Sequence, residues 1–293
     1  MSDRGAVFDL GYRPHDGPRL GRGAAVKATV KDGVRRVLGL RRNFRRKIIP
    51  WGLFAIALLP AVVFVGLVFF TSQFTGDTGG DTPFASHSAY FDLAAVSVLL
   101  FSALAGPELL IPDRSEGVLS IYASRPLTGR DYLAARAGAL VIVLAGFMLL
   151  PQLLLYFGFA ALQDGGFASN LVSSLDEIPK FTLSALAYVA GFGAPALLVA
   201  ATVKRSSVAS GVYVAAMFVL EGVAAGLVES GNSIAGPLAL IDHPTAIRDA
   251  IYDQSSDLVV HQADLSVWVS VGVILLLVAA AALVSLRRYR RLM

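Results

Sequence analysis

Two polar side chains stand inside long apolar runs of this sequence. Glu221 lies between Leu220 and Gly222, and Gln152 follows Pro151. An ionisable group within a membrane span usually faces the protein interior or a water-filled path, because lipid cannot solvate it. Glu221 is therefore either a substrate-path or gating residue, or a group satisfied by an interhelical hydrogen bond. Gln152 is the second candidate for a substrate path, although Pro151 beside it also fits a packed kink.

The sequence lacks the motifs that would indicate catalysis. It has no Gly-Lys dipeptide, which the phosphate-binding loop of ATPases requires, and no His-Glu-x-x-His motif of zinc proteases. The four histidines lie outside the apolar runs, and the chain has no cysteine. We therefore expect no enzyme activity, no metal site and no cofactor in this chain.

A dense group of charges occupies residues 106–136, between two apolar runs, and holds four arginines and four acids. Residues 114–124 predict a short helix that ends before Pro126, because the residue preceding a proline is pushed out of helical geometry. Thr128 or Gly129 then begins the next helix. The stretch predicts either a helical hairpin on the membrane surface or a solvated loop with anchoring arginines. The apolar face of the short helix would be Val118, Leu119, Tyr122 and Leu127.

Composition indicates an integral membrane protein. The chain has 293 residues, of which 55% are hydrophobic and 16% charged, and its mean hydropathy is +0.65. Soluble domains are normally about a quarter charged. The net charge of +4 does not indicate nucleic-acid binding, because the basic residues lie beside apolar runs.

Six apolar runs are each long enough to cross a bilayer, which takes about 20 residues. We therefore predict an all-α integral membrane fold with six transmembrane helices, forming one domain over residues 48–286. Trp51 and Trp268 lie near predicted span ends, where interface aromatics are common. The predicted spans are residues 48–71, 90–111, 137–162, 181–203, 208–228 and 265–286.

Basic residues predict the orientation of these spans. Of the 25 lysines and arginines, only Lys180 and Arg248 fall in loops on the acidic side. Cytoplasmic loops carry the excess of positive charge, so both termini and the 106–136 loop are expected in the cytoplasm. Arginine also outnumbers lysine, as in high-GC bacterial genomes. The predicted location is the bacterial plasma membrane.

The N-terminal region precedes the first span. Residues 1–24 are rich in glycine, arginine and proline and predict a flexible cytoplasmic segment, without the apolar stretch of a signal peptide. Residues 25–47 predict a basic amphipathic helix at the membrane interface. Nucleic-acid binding is the rival interpretation, which the adjoining span disfavours. The C-terminal residues 287–293 predict a basic cytoplasmic tail. The interfacial cations would include Lys31, Arg35, Arg36, Arg41 and Arg42.

Residues 229–264 form the longest loop on the acidic side. His243 and Pro244 precede a predicted amphipathic helix over residues 245–252. Such a helix either dips into the outer leaflet or belongs to a plain surface loop. Its apolar side would carry Ala246, Ile247, Ala250 and Ile251.

The charged stretch contains a recognisable motif. Gly106-Pro107-Glu108 is followed by Asp113-Arg114-Ser115-Glu116-Gly117, by Ser124-Arg125-Pro126-Leu127, and by Arg130 and Tyr132. This arrangement resembles the signature of ABC-2 type transporter permeases, the membrane-spanning subunits of bacterial ABC exporters. The order of elements is also similar to that family: an interface helix, six spans, and a cytoplasmic coupling helix between spans two and three.

The resemblance implies a permease that works as a dimer, with a second copy or a homologous permease, and with a separate ATPase subunit. ATP and magnesium would bind that partner and not this chain. ATP-driven closure of the ATPase would push on the helix over residues 114–124, and the bundle would alternate between conformations to export a substrate. The interface helix would brace the ATPase against the membrane. The coupling residues would be Glu108, Asp113, Arg114, Glu116, Tyr122, Arg125, Pro126 and Arg130.

Two other functions remain open at this point. A secondary transporter needs ion-coupling groups near the membrane midplane and usually has internal repeats; Glu221 is the acid that lies well inside a predicted span. A membrane anchor or scaffold subunit of another complex needs no transport path. A bound ATPase would favour the exporter over both alternatives.

Overall fold

The computed structural model describes residues 21–40, 43–75, 86–119, 122 and 127–289. Within these residues, every regular element is a helix. The long helices are α2 (Arg45–Thr75), α3 (His87–Ser115), α4 (Gly129–Leu162), α6 (Glu177–Thr202), α7 (Ser206–Glu229) and α10 (Val267–Tyr289). The shorter helices are α1 (Arg22–Val37), α5 (Phe167–Ser173), a 3₁₀ helix (Ser233–Leu238), α8 (Asp242–Tyr252) and α9 (Val259–Gln262).

All six long helices are long and apolar enough to span a membrane. The shortest, α10, has 23 residues, which at 1.5 Å per residue exceeds the roughly 30 Å hydrocarbon core of a bilayer. For the described residues, this confirms the prediction of an all-helical fold with six helices that are long and apolar enough to span a membrane.

Most of the long helices extend beyond at least one end of the predicted span, most of all around the charged stretch. α3 continues to Ser115 and α4 begins at Gly129, so much of the 106–136 segment is helical. Thr128 caps α4: its hydroxyl accepts a hydrogen bond from the Asp131 amide, and the Asp131 carboxylate accepts one from the Thr128 amide. Residues 120, 121, 123 and 124 of the predicted coupling helix, and residues 125 and 126 after it, lie outside the described residues.

The predicted interface helix over residues 25–47 is divided in two. α1 ends at Val37, and the next residues form a tight turn before α2. Gly39 has a φ of 64°, which is a left-handed conformation that glycine adopts at little cost. The amides of Gly39 and Leu40 bond to the carbonyls of Arg36 and Arg35, which is the pattern of a Schellman motif. Residues 1–20 and Arg41 and Arg42 lie outside the described residues.

Helices α3 and α6 form the centre of the bundle, whereas α2, α7 and α10 expose most of their surface. Close contact between α3 and α6 depends on Gly106. A Cβ added at Gly106 would lie 2.9 Å from both the backbone carbon and the Cβ of Ala196. The small residue lets the two backbones approach, as is common in membrane helix packing.

The bundle has two ends, which we name by what lies there. At the terminal face, α1 packs against α3 and α4, and the Tyr289 hydroxyl of α10 donates to the Leu110 carbonyl of α3. At the cap face, the 3₁₀ helix, α8 and α9 cover the ends of α6, α7 and α10. We call these three short helices the cap.

Replacing Gly106 by leucine is expected to destabilise the bundle. The new side chain would meet the α6 backbone, and overpacking of this kind costs about 1–3 kcal/mol. The Gly146→Leu variant in α4 is the matched control, because a Cβ at Gly146 meets no atom within 4 Å. Thermal unfolding in mild detergent should show a lower midpoint for Gly106→Leu alone. Equal midpoints would contradict the close α3–α6 contact.

Candidate functional site

A single carboxylate joins three helices at the terminal face. Asp113, near the end of α3, is 1% exposed. Its Oδ1 accepts a hydrogen bond from Nη1 of Arg36 at 2.7 Å. Its Oδ2 accepts from Nη2 of Arg136 at 2.6 Å and from the Tyr132 hydroxyl at 2.7 Å. α1 contributes Arg36 and α4 contributes Tyr132 and Arg136. Together with Asp32 of α1, we call these five residues the Asp113 network.

The guanidinium of Arg136 is fully buried. In addition to its bond to Asp113, its Nη1 donates to Oδ2 of Asp32 at 2.9 Å and its Nη2 to the Tyr122 hydroxyl at 3.1 Å. Its central carbon lies 5.4 Å from the ring centroid of Tyr132 and 5.9 Å from that of Tyr122, within cation–π range. The two acids and two arginines of the network have no net charge, with Asp113 buried and the Asp32 side chain 52% exposed.

Helix α1 is held against α3 and α4 by shape as well as charge. A Cβ on Gly33 would lie 2.6 Å from the Cβ of Ala139, so the glycine is needed for this approach. Arg22, at the start of α1, forms an exposed ion pair with Asp131 of α4 at 2.7 Å. Such a pair contributes little by itself. The buried network between Arg36, Asp113 and Arg136 is therefore the main polar anchor of α1.

The network stabilises the protonation states on which it depends. Burial and the nearby Arg136 disfavour the charged guanidinium of Arg36, but the hydrogen bond and the charge of Asp113 outweigh them, and the pKa of Arg36 is raised. Burial, followed by the negative charge of Asp113, raises the pKa of the Tyr122 hydroxyl. Arg36 therefore stays a charged donor and Tyr122 a neutral hydroxyl.

Arg114, a predicted coupling residue, binds the end of a different helix. Its guanidinium donates to the Ala201 carbonyl at 2.8 Å, to the Ala200 carbonyl at 3.3 Å, and to the Val203 carbonyl. These carbonyls lie at the C-terminus of α6, where a helix leaves acceptors unsatisfied and favours positive charge. Arg114 thus connects the end of α3 to the end of α6.

The other predicted coupling residues lie around the network. Glu108 is half-buried beside a cavity of about 440 Å³ that Arg36 and Arg45 also line. Glu116 is exposed and caps the C-terminus of α3, with its amide bonded to the Pro112 carbonyl. Arg130 is exposed in the first turn of α4. Arg125 and Pro126 lie outside the described residues. Of the predicted interface cations, Lys31 is exposed, and Arg35 and Arg36 are half-buried.

The two candidate substrate-path residues contact different elements and share no partner. Oε2 of Glu221 in α7 accepts a hydrogen bond from the Ile241 amide at 2.7 Å, immediately before α8. Gln152 of α4 is fully buried; its Nε2 donates to the His87 carbonyl at 2.9 Å and its Oε1 lies 2.7 Å from Nδ1 of His87. Glu221 therefore attaches α7 to the cap, and Gln152 attaches α4 to the start of α3.

The cap face has a second buried arginine, which the sequence analysis used only to orient the spans. Arg248 of α8 is fully buried. Its Nη1 donates to the Ser88 carbonyl at 3.1 Å and pairs with Asp92, both in α3, while its Nε donates to Asp249 at 2.9 Å. The packed side of α8 is thus largely polar, and Ala250, predicted on the apolar side, is exposed.

Sequence reasoning did not assign roles to three members of the Asp113 network. Asp32 lies among many basic residues, which gave no reason to single it out. Tyr132 was noted only as part of the motif, and Arg136 only as the last residue of the charged stretch. A usable signal was present. Tyr132 and Arg136 lie four residues apart, and therefore on one face of a helix, close to an apolar run that would bury them.

No metal site accompanies these charges: among the described residues, no three His, Asp or Glu side chains are grouped so that they could hold a metal ion. Comparison of the chain with protein-family models and with curated proteins found no match. The functional argument therefore rests on the geometry of the terminal face.

The Gly33→Leu variant is expected to detach α1 from the bundle. The leucine would clash with Ala139 of α4 and separate Arg36 from Asp113. Gly23→Leu in the same helix is the control, because a Cβ there meets no atom within 4 Å. Limited proteolysis in mild detergent should cleave α1 faster in Gly33→Leu only. Equal cleavage of both variants would contradict the docking of α1.

Acidification is expected to loosen the cap through His243. Its Nε2 donates to the Pro237 carbonyl at 3.1 Å, so its Nδ1 accepts from the Ser270 hydroxyl at 3.0 Å. Burial lowers the pKa of His243. The folded cap therefore binds a proton at His243 less readily than the unfolded cap does. The contribution of His243 to the stability of the cap is complete above a pH of about 6.5 and is lost as the pH falls.

The measurement is amide hydrogen exchange in the cap at pH 7 and pH 5.5, in wild type and His243→Gln. Burial raises the pKa of the neighbouring Asp242. Protonation of Asp242 therefore stabilises the cap as the pH falls, which opposes the effect of His243. For this reason the informative quantity is the difference between wild type and His243→Gln. We expect wild type to lose more protection on acidification than His243→Gln. The same pH dependence in both would contradict a neutral, buried His243.

Proposed function

We propose that this chain is the permease subunit of an ATP-driven exporter in the bacterial plasma membrane, of the ABC-2 type. The observation that carries the proposal is the Asp113 network. It joins α1 to the end of α3 and to the start of α4. These two helices precede and follow the segment of residues 116–128. That segment is the one whose motif resembles the coupling region of such permeases.

The network supports a mechanical role because it connects several helices to one small surface. A push on residues 116–128 would act on α3 through Glu116 and on α4 through Thr128, and the carboxylate of Asp113 would carry it to α1. Arg114 extends the connection to α6. Movement of rigid units against one another is one of the recurrent ways in which proteins change state. The bundle would then alternate between two conformations as the ATPase closes and opens.

The energy would come from a partner subunit. The sequence has no phosphate-binding loop, so ATP and magnesium would bind a separate ATPase at the terminal face, in the cytoplasm. Charged side chains available there include Lys31 of α1, and Glu116 and Arg130 beside the coupling segment, all of which are exposed. In this proposal α1 braces the ATPase against the membrane, and the solvated cations of α1 face lipid headgroups.

A second permease copy, or a homologous permease, would complete the transporter. α2 and α7 expose large apolar side chains along their lengths, including Ile56, Phe70, Phe218 and Val219. Lipid covers such surfaces in a monomer, and a second bundle covers part of them in a dimer. The substrate path would then lie between the two copies.

The test is purification of the tagged chain from native membranes in mild detergent, followed by an assay for bound ATPase. We expect an ATP-hydrolysing subunit in stoichiometric amount. A clean preparation without ATPase would contradict the proposal and favour a secondary transporter or a membrane anchor.

A pair of variants tests the coupling segment. Glu116→Ala and Arg125→Ala, each as a single variant, should leave the chain inserted but uncouple ATP hydrolysis from transport. The reconstituted variants should then no longer stimulate the ATPase. Glu229→Ala is the matched control: Glu229 is an exposed glutamate at the C-terminus of α7, on the opposite face. Wild-type stimulation in the Glu116 and Arg125 variants would contradict the assigned coupling role.

A further inference from the structure

A large apolar groove lies between α4, α6 and α10, in the half of the bundle nearer the terminal face. Its volume is about 750 Å³, and its inner wall includes Leu110, Leu140, Val189 and Leu197. An apolar lining offers ordered water few hydrogen-bond partners. An apolar occupant is therefore expected.

Small side chains on three helices create the groove. Ala137 of α4, Ala190 and Ala194 of α6, and Ala281 of α10 leave the space that larger residues would fill. The groove opens sideways, because residues at its rim, such as Val141 and Val278, are 46% and 41% exposed. In a bilayer, this opening faces the acyl chains of the surrounding lipid.

One cation lines the groove. Arg130, in the first turn of α4, lies where the groove reaches the terminal face, and its side chain is exposed. The adjacent Asp131 is already paired with Arg22. Among the described residues, Arg130 forms no ion pair. The groove thus combines a long apolar wall with one uncompensated positive charge at the depth of the lipid headgroups.

We propose that this groove binds an anionic phospholipid of the leaflet at the terminal face, with one acyl chain between α4, α6 and α10 and the phosphate at Arg130. Basic residues between spanning helices are a recurrent way of binding anionic headgroups. An acyl chain that enters the groove leaves one apolar environment for another, so the selectivity for the lipid comes from the charge of its headgroup.

This proposal goes beyond transport and is tested without an ATPase. The chain alone in lipid nanodiscs is sufficient, so failure of the exporter proposal would leave the lipid test unaffected. Arg130 is also among the coupling residues implied by the resemblance, and the two assays measure the two roles separately.

The assay uses a cysteine introduced at the rim of the groove. Because the chain has no cysteine, Ala282→Cys carries a single bimane label on the exposed edge of α10. Quenching is measured in nanodiscs that contain either brominated phosphatidylglycerol or brominated phosphatidylcholine as a minor component. Ala279→Cys, which is exposed on the same helix but does not line the groove, reports the surrounding lipid.

At Ala282→Cys, half-maximal quenching should need about fivefold less anionic than zwitterionic lipid, the effect of one cation near an anionic headgroup. Arg130→Gln should abolish the preference and Arg130→Lys should keep it. Arg205→Gln, which removes an exposed cation from the α6–α7 turn, should leave it unchanged. Ala279→Cys should show no preference.

Three results would overturn the proposal. Equal quenching by the two lipids at Ala282→Cys would contradict a selective site. A preference that survives Arg130→Gln would contradict the assigned headgroup partner. Protection of Ala282→Cys from both lipids would indicate that the groove is covered by protein, such as a second copy of the chain.

Discussion

The structure depends on one constraint: the guanidinium of Arg136 is buried in a bundle built for a bilayer and needs a buried counter-charge. An unpaired charge in such surroundings costs several kcal/mol. Asp113 supplies the counter-charge, and because a carboxylate has two oxygens it also binds Arg36 of α1. The position of α1 and the junction of α3 with α4 therefore follow from satisfying a single buried ion.

The cap face is organised in the same manner. Among the described residues, Arg136 and Arg248 are the bulkiest of the fully buried side chains, and one lies at each face of the bundle. Arg248 attaches the cap to α3 through Ser88 and Asp92, as Arg136 attaches α1 and α4 to α3 through Asp113. Hydrophobic packing between spanning helices is weak in lipid, so buried polar contacts fix the ends. α3 is the helix that both anchors share.

The sequence was sufficient for the six long apolar helices, but not for the contacts of the Asp113 network. The length of the apolar runs predicts the six long helices. The cap of α4 at Thr128 follows from the capping-box pattern of Thr128 and Asp131. The division of residues 25–47 depends on Gly39, whose left-handed conformation no periodicity reveals. The pairing of Asp113 with Arg36 joins residues far apart in sequence, so only the tertiary arrangement brings it about. Arg248 entered the sequence analysis only through the orientation of the spans, because its partner Asp92 belongs to a distant helix and no local pattern reveals that pairing.

The most direct test of this account is a double-mutant cycle between Arg36 and Asp113. The free energy of unfolding is measured by SDS titration for wild type, Arg36→Gln, Asp113→Asn and the double variant. Close charge pairs in buried settings show coupling energies of about 1.5 kcal/mol or more, and we predict a value in that range. Additivity within about 0.5 kcal/mol would mean that the two side chains do not interact, and the Asp113 network could then not be the connection between α1 and the spanning helices.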